Sequence, residues 1–290
     1  MDARPDRAVV GALSRLARNV RSYLNGPFAV TRARTPESIA GKRILITGAS
    51  SGVGRAAAAH LAGQGAIVVL VARRERELAL LHEEIVEAGG EAAHRACDLS
   101  NRDEVDALVR WVLDEHGGVD VLVNNAGRSM RRPITESFER LDDFDRAMAV
   151  NFFGPVHLTM GLLPGMVGRR SGHVINVGTW TVPVGTSPRF AAYHSSKVAL
   201  AGFGRCVDAE LAEWGVRVTA VHYPLVHTAM SAPTERYRDL PGLTPDEAAE
   251  WIATAIRSRP VRIAPRYVVL LRALGAVAPR AVDRVLLRWG

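Results

Sequence analysis

The chain has 290 residues, 48% of them hydrophobic and 23% charged, with a formal net charge of +7 and two cysteines, Cys97 and Cys206. That balance suits a globular protein with a full core; two cysteines, and nine histidines without HExxH-like spacing, exclude a disulfide framework and predict no metal and a reducing compartment. The charge lies at the ends, +6 over residues 1–43 and +7 over 257–290, which leaves −6 of the total for 44–256 and excludes a basic nucleic-acid groove through the core.

Residues 1–40 read as a basic N-terminal extension. Val9, Val10, Leu13, Leu16, Ala17, Val20 and Leu24 fall on one helical arc, with Arg7, Arg15, Arg18 and Arg21 opposite. Such a helix lies on an anionic membrane surface or packs on the domain or a second subunit, and the pattern leaves both open. No run approaches the ~20 apolar residues of a spanning helix, and no secretory segment is visible. The expectation is a cytoplasmic protein, with peripheral membrane contact through its basic ends left open.

From residue 43 strand-like and helix-like stretches alternate. RILIT (43–47), IVVLVA (67–72), HRAC (94–97), VDVLV (119–123), GHVINV (172–177), VRVTAVH (216–222) and VRIA (261–264) read as strands. Stretches 53–64, 75–88, 103–116, 141–169, 191–214 and 245–258 read as helices. Several strands are apolar on both faces, as in a parallel sheet covered by helices. The pattern predicts an α/β fold, a doubly wound parallel sheet of about seven strands. One catalytic domain spans 41–265, with 224–260 as a helical substrate-binding insertion. Residues 266–290 form a basic amphipathic tail, Val282, Val285, Leu286 and Trp289 alternating with Arg280, Arg284 and Arg288.

The first strand runs into TGASSGVG (47–54). Gly48, Gly52 and Gly54, with Ser50, Ser51 and Val53 between them, follow a strand and open a helix, where backbone N–H groups bind a pyrophosphate if no Cβ blocks the approach. The spacing is GxxxGxG, and there is no GK[ST] to make a P-loop. The next strand ends in Ala72, Arg73 and Arg74 where a carboxylate would hold the ribose of NAD, so the arginines favour a 2′-phosphate and NADP(H). The bland reading is two solvated arginines. Asp98, followed by Leu99, suits an adenine edge or the cap of the next turn.

NNAG (124–127) follows the fourth strand, with Asn125 and Ala126 at the strand end and Gly127 leaving room for a nicotinamide. Asn151 is a polar amide inside an apolar helix and must find partners there; it holds a water or packs a kink. Tyr193 and Lys197 share one helix face at i and i+4. An adjacent ammonium favours the phenolate and lowers a phenol from its ordinary value of ~10.

These motifs, in this order and spacing over roughly residues 41–228, resemble the short-chain dehydrogenase/reductase superfamily, and the resemblance implies a Rossmann-like fold, NADP(H) and usually a homo-oligomer through the long helices. The segments NNAGRSMRRPITESFERLDDFDRAMAVNFFGPVHL, PRFAAYHSSKVAL and YPLVHTAMSAPTERY are similar to its bacterial fatty acyl-CoA reductase branch. The resemblance implies that Tyr193 donates a proton, Lys197 tunes it and holds the nicotinamide ribose, and Asn151 holds a relay water. The usual serine gives way to Gly178 and Thr179 in INVGTWTVPVG, with Thr179 the carbonyl-holding hydroxyl and Thr181 the alternative. Pro224, Val226 and Thr228 match the nicotinamide segment, Thr228 at the carboxamide, while His227 replaces an arginine common in that branch. The expected function is NADPH-dependent reduction of an apolar carbonyl, most concretely a fatty acyl-CoA or fatty aldehyde. The alternatives are an NADP-dependent alcohol or ketone dehydrogenase for a secondary-metabolite or steroid-like substrate and, more distantly, a non-catalytic scaffold.

Overall fold

Runs of β-branched and aliphatic residues become interior strands. In a computed structural model that describes residues 24–30 and 36–289, Ile44, Leu45, Ile46, Val68, Val69, Leu70, Val71, Leu122 and Val123 have no measurable exposure. The strands are β1 Pro27–Val30, β2 Arg43–Thr47, β3 Ile67–Ala72, β4 Glu91–Ala96, β5 Val121–Asn124, β6 Gly172–Thr179, β7 Val216–Tyr223 and β8 Arg262–Pro265. The helices of eight or more residues are α1 Gly52–Ala62, α2 Glu75–Glu87, α3 Arg102–His116, α4 Leu141–Met148, α5 Gly154–Gly168, α6 Ala191–Leu211, α7 Pro245–Ser258, α8 Tyr267–Val277 and α9 Pro279–Trp289.

The sheet order is β1-β8-β7-β6-β5-β2-β3-β4. All neighbours are parallel except β1 and β8. The chain winds outward one way from β2 and the other way from β5, so the order reverses between these two strands. The crevice beyond their C-terminal ends is where an open α/β sheet binds its ligand. One core layer places α1, α2 and α7 on one face of the sheet. The other places Val105, Leu108 and Val112 of α3 and Leu158, Leu162 and Met166 of α5 on the opposite face.

Four expectations need correction. The sheet has eight strands, not about seven, because Pro27–Val30 of the supposed extension pairs antiparallel with β8. A four-residue strand beginning with proline carries little pattern, and it covers an otherwise open edge. Residues 224–244 are loop with one 3₁₀ turn at Glu235–Tyr237, and α7 supplies all the helix of the expected insertion. The helix expected over 141–169 is broken by a π-helical stretch at Ala149–Phe153. Finally, Leu141–Gly168 is long and apolar enough to cross a membrane. It is a core element here, with Leu158, Leu162, Leu163 and Met166 buried.

At the C-terminus α9 turns Val282 and Leu286 inward. Trp180 meets Tyr267 of α8 edge to face at 5.4 Å, and Arg236 donates to the carbonyl of Arg288. The tail thus packs on the loop after β6 and on the segment that carries the 3₁₀ turn. Apart from Leu24, the amphipathic arc expected over residues 9–24 lies outside the described residues.

Candidate active site

The turn after β2 is shaped by what its glycines leave out. Gly48 and Gly52 have φ of 70° and 56°, the left-handed region that disfavours a side chain. A Cβ on Gly48 would meet Asn125 Nδ2 and Ala126 Cα at 3.0 Å, and one on Gly54 would lie 2.5 Å from Asn125 Nδ2. Thr47 ties the turn to β5: its hydroxyl accepts from the N–H groups of Asn125 and Ala126, both at 3.0 Å, and donates to the Val123 carbonyl. Asn125 Nδ2 donates to the Thr47 carbonyl at 2.8 Å. Ser51 begins α1 without a side-chain cap, and the first turn holds no acidic residue. The open N–H groups and the positive helix end therefore face outward, as an anionic pyrophosphate requires. The residues present fit a dinucleotide.

Arg74 reaches back to this turn, donating through Nη2 to Ser50 Oγ at 3.0 Å and through Nε at 3.3 Å. Arg73 instead acts on Asp98. Burial of Asp98, which opposes charge, is outweighed by two hydrogen bonds from Ser100 and by Arg73, so its carboxyl lies below the ordinary range. Asp98 accepts from the Ser100 N–H and hydroxyl, while Asn101 caps α3. Leu99 is buried against Gly154.

Asn151 sits in the π-helical stretch and is fully buried. Its Oδ1 accepts from the Arg128 N–H at 2.8 Å, and its Nδ2 donates to the Arg128 carbonyl and to Ser196 Oγ, both at 2.9 Å. Ser196 in turn donates to the Tyr193 carbonyl at 2.7 Å. One amide thus clamps the loop after β5 to α6. Asn151 Oδ1 and Lys197 Nζ each lie 3.3 Å from where a Cβ on Gly127 would stand, so only glycine leaves that gap open.

Lys197 is buried and donates to the Val177 carbonyl at 2.9 Å. Burial pulls its ammonium down to about 8. Tyr193 departs from expectation: burial, with a contribution from the Tyr237 hydroxyl, pushes it up to about 12. The cation four residues away points at a carbonyl of β6, and desolvation of the phenol wins. Tyr193 is therefore a neutral phenol at pH 7, with a proton to give.

Thr179 ends β6 opposite Tyr223. Its hydroxyl is half-buried and accepts from Thr181 Oγ1 at 3.5 Å. Thr181 is buried and lies 3.3 Å from His194 Nδ1. Of the two, Thr179 is the less buried. The Pro224–Thr228 segment is held by Leu243, which accepts from the His227 N–H at 2.9 Å and donates to the Leu225 carbonyl at 2.8 Å. Thr228 packs over Gly52 with its Cγ2 3.2 Å from that Cβ position.

Three contributors lie outside the sequence expectations: Thr47 as the anchor of the turn, Ser196 as the link from Asn151 to Tyr193, and Tyr237, whose hydroxyl acts electrostatically on Tyr193. Ser196 lies between Tyr193 and Lys197, and its hydroxyl is a partner that a buried amide could take. Tyr237 sits in an aperiodic loop and had no signal.

A family model for short chain dehydrogenases matches residues 42–239. A fatty acyl-CoA reductase of Mycobacterium tuberculosis is 48% identical over 88% of this chain and 87% of its own length. A fatty acyl-CoA reductase of Acinetobacter baylyi is 42% identical over 88% of this chain and 85% of its own. Among solved structures, a metagenomic short-chain oxidoreductase in complex with NADP is 34% identical, with a TM-score of 0.65 over 76% of this chain and 92% of that one.

Proposed function

The chain belongs to the short chain dehydrogenase family and is an NADP-dependent oxidoreductase, and we propose that it reduces the carbonyl of a long apolar substrate, most concretely a fatty acyl-CoA or fatty aldehyde, with Tyr193 as proton donor. The observation that carries this is a chain of contacts at the switch between β2 and β5: the glycine turn packs on Asn125 and Ala126, and Asn151 and Lys197 close on Gly127, with Tyr193 one helical turn from Lys197. The two fatty acyl-CoA reductases favour a thioester among apolar carbonyls.

Bound NADPH supplies the hydride. Gly48, Ser50, Ser51, Gly52, Val53 and Gly54 hold its pyrophosphate, Arg74 with Arg73 its 2′-phosphate, and Asp98 with Leu99 its adenine. Asn125, Ala126, Gly127, Pro224, Val226 and Thr228 line the nicotinamide side. Tyr193 gives its proton to the substrate oxygen as that oxygen takes up the carbonyl electron pair, and Thr179 donates a hydrogen bond to the same oxygen. Lys197 holds the nicotinamide ribose, and Asn151 keeps Gly127 and α6 in register and holds the relay water. With a thioester, hydride and proton give a hemithioacetal, whose collapse releases the thiol and leaves an aldehyde.

NADPH oxidation is to be followed with palmitoyl-CoA, a long-chain aldehyde and a panel of ketones, with Tyr193→Phe as control. The expected result is turnover of the thioester or aldehyde that is lost in Tyr193→Phe. Turnover of ketones alone replaces this reading with an alcohol or ketone dehydrogenase, and equal inertness of both proteins leaves a scaffold. Exposed Phe153 at the end of the π-helical stretch, Met160 on α5 and Val198 on α6 support a homo-oligomer through these helices, which light scattering would test.

A further inference from the structure

Thr179 stands on a backbone that leaves only its hydroxyl to be aimed. It pairs with Tyr223 at the end of β6, and the next residue, Trp180, donates its N–H to the Tyr223 carbonyl at 2.9 Å. Gly178, opposite His222, makes room for the His222 ring: a Cβ there would lie 2.9 Å from His222 Nδ1. Thr181–Val184 then form a single helical turn, which Gly185 closes by donating its N–H to the Thr181 carbonyl at 2.9 Å. From that turn the buried Thr181 hydroxyl reaches Thr179 Oγ1 at 3.5 Å and His194 Nδ1 at 3.3 Å. His194 follows Tyr193 on α6, and successive side chains of a helix point about 100° apart. The same turn of α6 therefore carries the phenol and, facing another way, the ring that meets Thr181.

The direction of this chain follows from counting protons. A threonine hydroxyl has one proton to donate and two lone pairs to accept with. Thr181 has two neighbours, so it cannot donate to both. If His194 Nδ1 is bare, it takes the Thr181 proton, and the Thr181 oxygen is left to compete for the proton of Thr179. If Nδ1 carries the ring proton, His194 donates to Thr181 and Thr181 donates to Thr179. Thr179 then keeps its own proton for an acceptor outside the chain, and each bond polarises the next. Separations of 3.3 and 3.5 Å suit a chain that tightens when its last hydroxyl takes on an acceptor.

We propose that His194, with its ring proton on Nδ1, is a positioning residue that acts through Thr181 to turn the Thr179 hydroxyl toward the carbonyl oxygen of the substrate. This rests on the carbonyl reduction proposed above and deepens it, because the oxygen that takes the Tyr193 proton is then held by a donor of fixed direction. No proton passes along the chain: the ring and both hydroxyls keep theirs through the reaction.

The test uses the full chain with NADPH and a long-chain aldehyde. Thr181→Val keeps the shape and removes the hydroxyl, His194→Leu removes the ring donor, and His194→Asn puts an amide N–H near the place of Nδ1. Thr181→Val and His194→Leu should each lower kcat about fivefold to tenfold while KM stays within about twofold. His194→Asn should restore most of kcat. In a Thr179→Val background His194→Leu should cost nothing more, since both act on one hydroxyl. Unchanged kcat in the single variants, equal losses in His194→Asn and His194→Leu, or the same further loss without the Thr179 hydroxyl would each overturn the proposal. NMR of the ring nitrogens reads the chain independently of turnover. If no carbonyl substrate is reduced, the reductase reading fails by itself and this measurement decides. A proton on His194 Nδ1 in wild type that moves to Nε2 in Thr181→Val supports the chain, and a bare Nδ1 in wild type overturns it.

Discussion

Replacing Gly54 by alanine adds a methyl where the first turn of α1 crosses the end of β2. That carbon would lie 2.5 Å from Asn125 Nδ2 and 2.8 Å from the Gly48 carbonyl carbon. Neither neighbour is a loose tip, because Asn125 Nδ2 is bonded to the Thr47 carbonyl at 2.8 Å and Gly48 is backbone. Restoring ordinary carbon contacts of about 3.5 Å requires the turn or the helix to withdraw by roughly 1 Å. Overpacking of this kind costs about 1–3 kcal/mol. If the turn yields, the loss falls on the pyrophosphate site, and the Kd for NADPH rises about tenfold to a hundredfold. If it holds, the loss falls on stability. Gly202→Ala is the matched control: its methyl meets nothing within 4 Å inside α6, and helix propensity predicts a gain of about 0.5–1 kcal/mol. Fluorescence titration with NADPH and thermal melts of both variants measure the two outcomes. Wild-type affinity together with a wild-type melt in Gly54→Ala would refute the packing argument for the turn.

The remaining predictions concern charge. Arg74→Ala should raise the Kd for NADPH about tenfold and leave NADH unchanged, with a smaller effect from Arg73→Ala, since Arg74 is the one bonded to Ser50; equal effects on both cofactors would remove the 2′-phosphate role. For pH dependence, the Lys197 ammonium is the working form and burial places its loss at about 8, whereas Tyr193 keeps its proton to about 12. kcat/KM should therefore fall about tenfold per unit above pH 8, and a basic limb near 10 would contradict the burial of Lys197. His173, buried on β6 with Nε2 2.8 Å from Thr219 Oγ1, is depressed to about 3 by burial first. Below pH ~6.5 the unfolded chain takes up a proton that the native site refuses until about 3, so stability is lost as pH falls through that window. The loss is about 2 kcal/mol at pH 5, read as a lower urea midpoint that His173→Gln should largely abolish.

The parallel core was legible because β2, β3, β5 and β6 are apolar on both faces and each is followed by a helical period. The edge strand Pro27–Val30 was not, since four residues show no reliable alternation and its identity depends on β8, far along the chain. The π-helical stretch was half visible: Asn151 announced an irregularity in an apolar helix, but the bond to Ser196 that fixes it is a tertiary contact. Within the site, glycine and asparagine positions could be read because backbone geometry restricts them. The depression expected of Tyr193 reversed because spacing on a helix says where a cation can reach, not which acceptor it chooses. Lys197 chose the Val177 carbonyl. Arg73 and Arg74 were indistinguishable in sequence, and the backbone direction at the end of β3 separated them.

In the proposed reaction a neutral Tyr193 supplies the proton while NADPH supplies the hydride. Single-turnover absorbance at 340 nm, with enzyme-bound NADPH and palmitoyl-CoA or a long-chain aldehyde, tests it directly. Tyr193→Phe should bind NADPH as wild type does yet slow hydride transfer by about a hundredfold or more. Wild-type rates in Tyr193→Phe would contradict it.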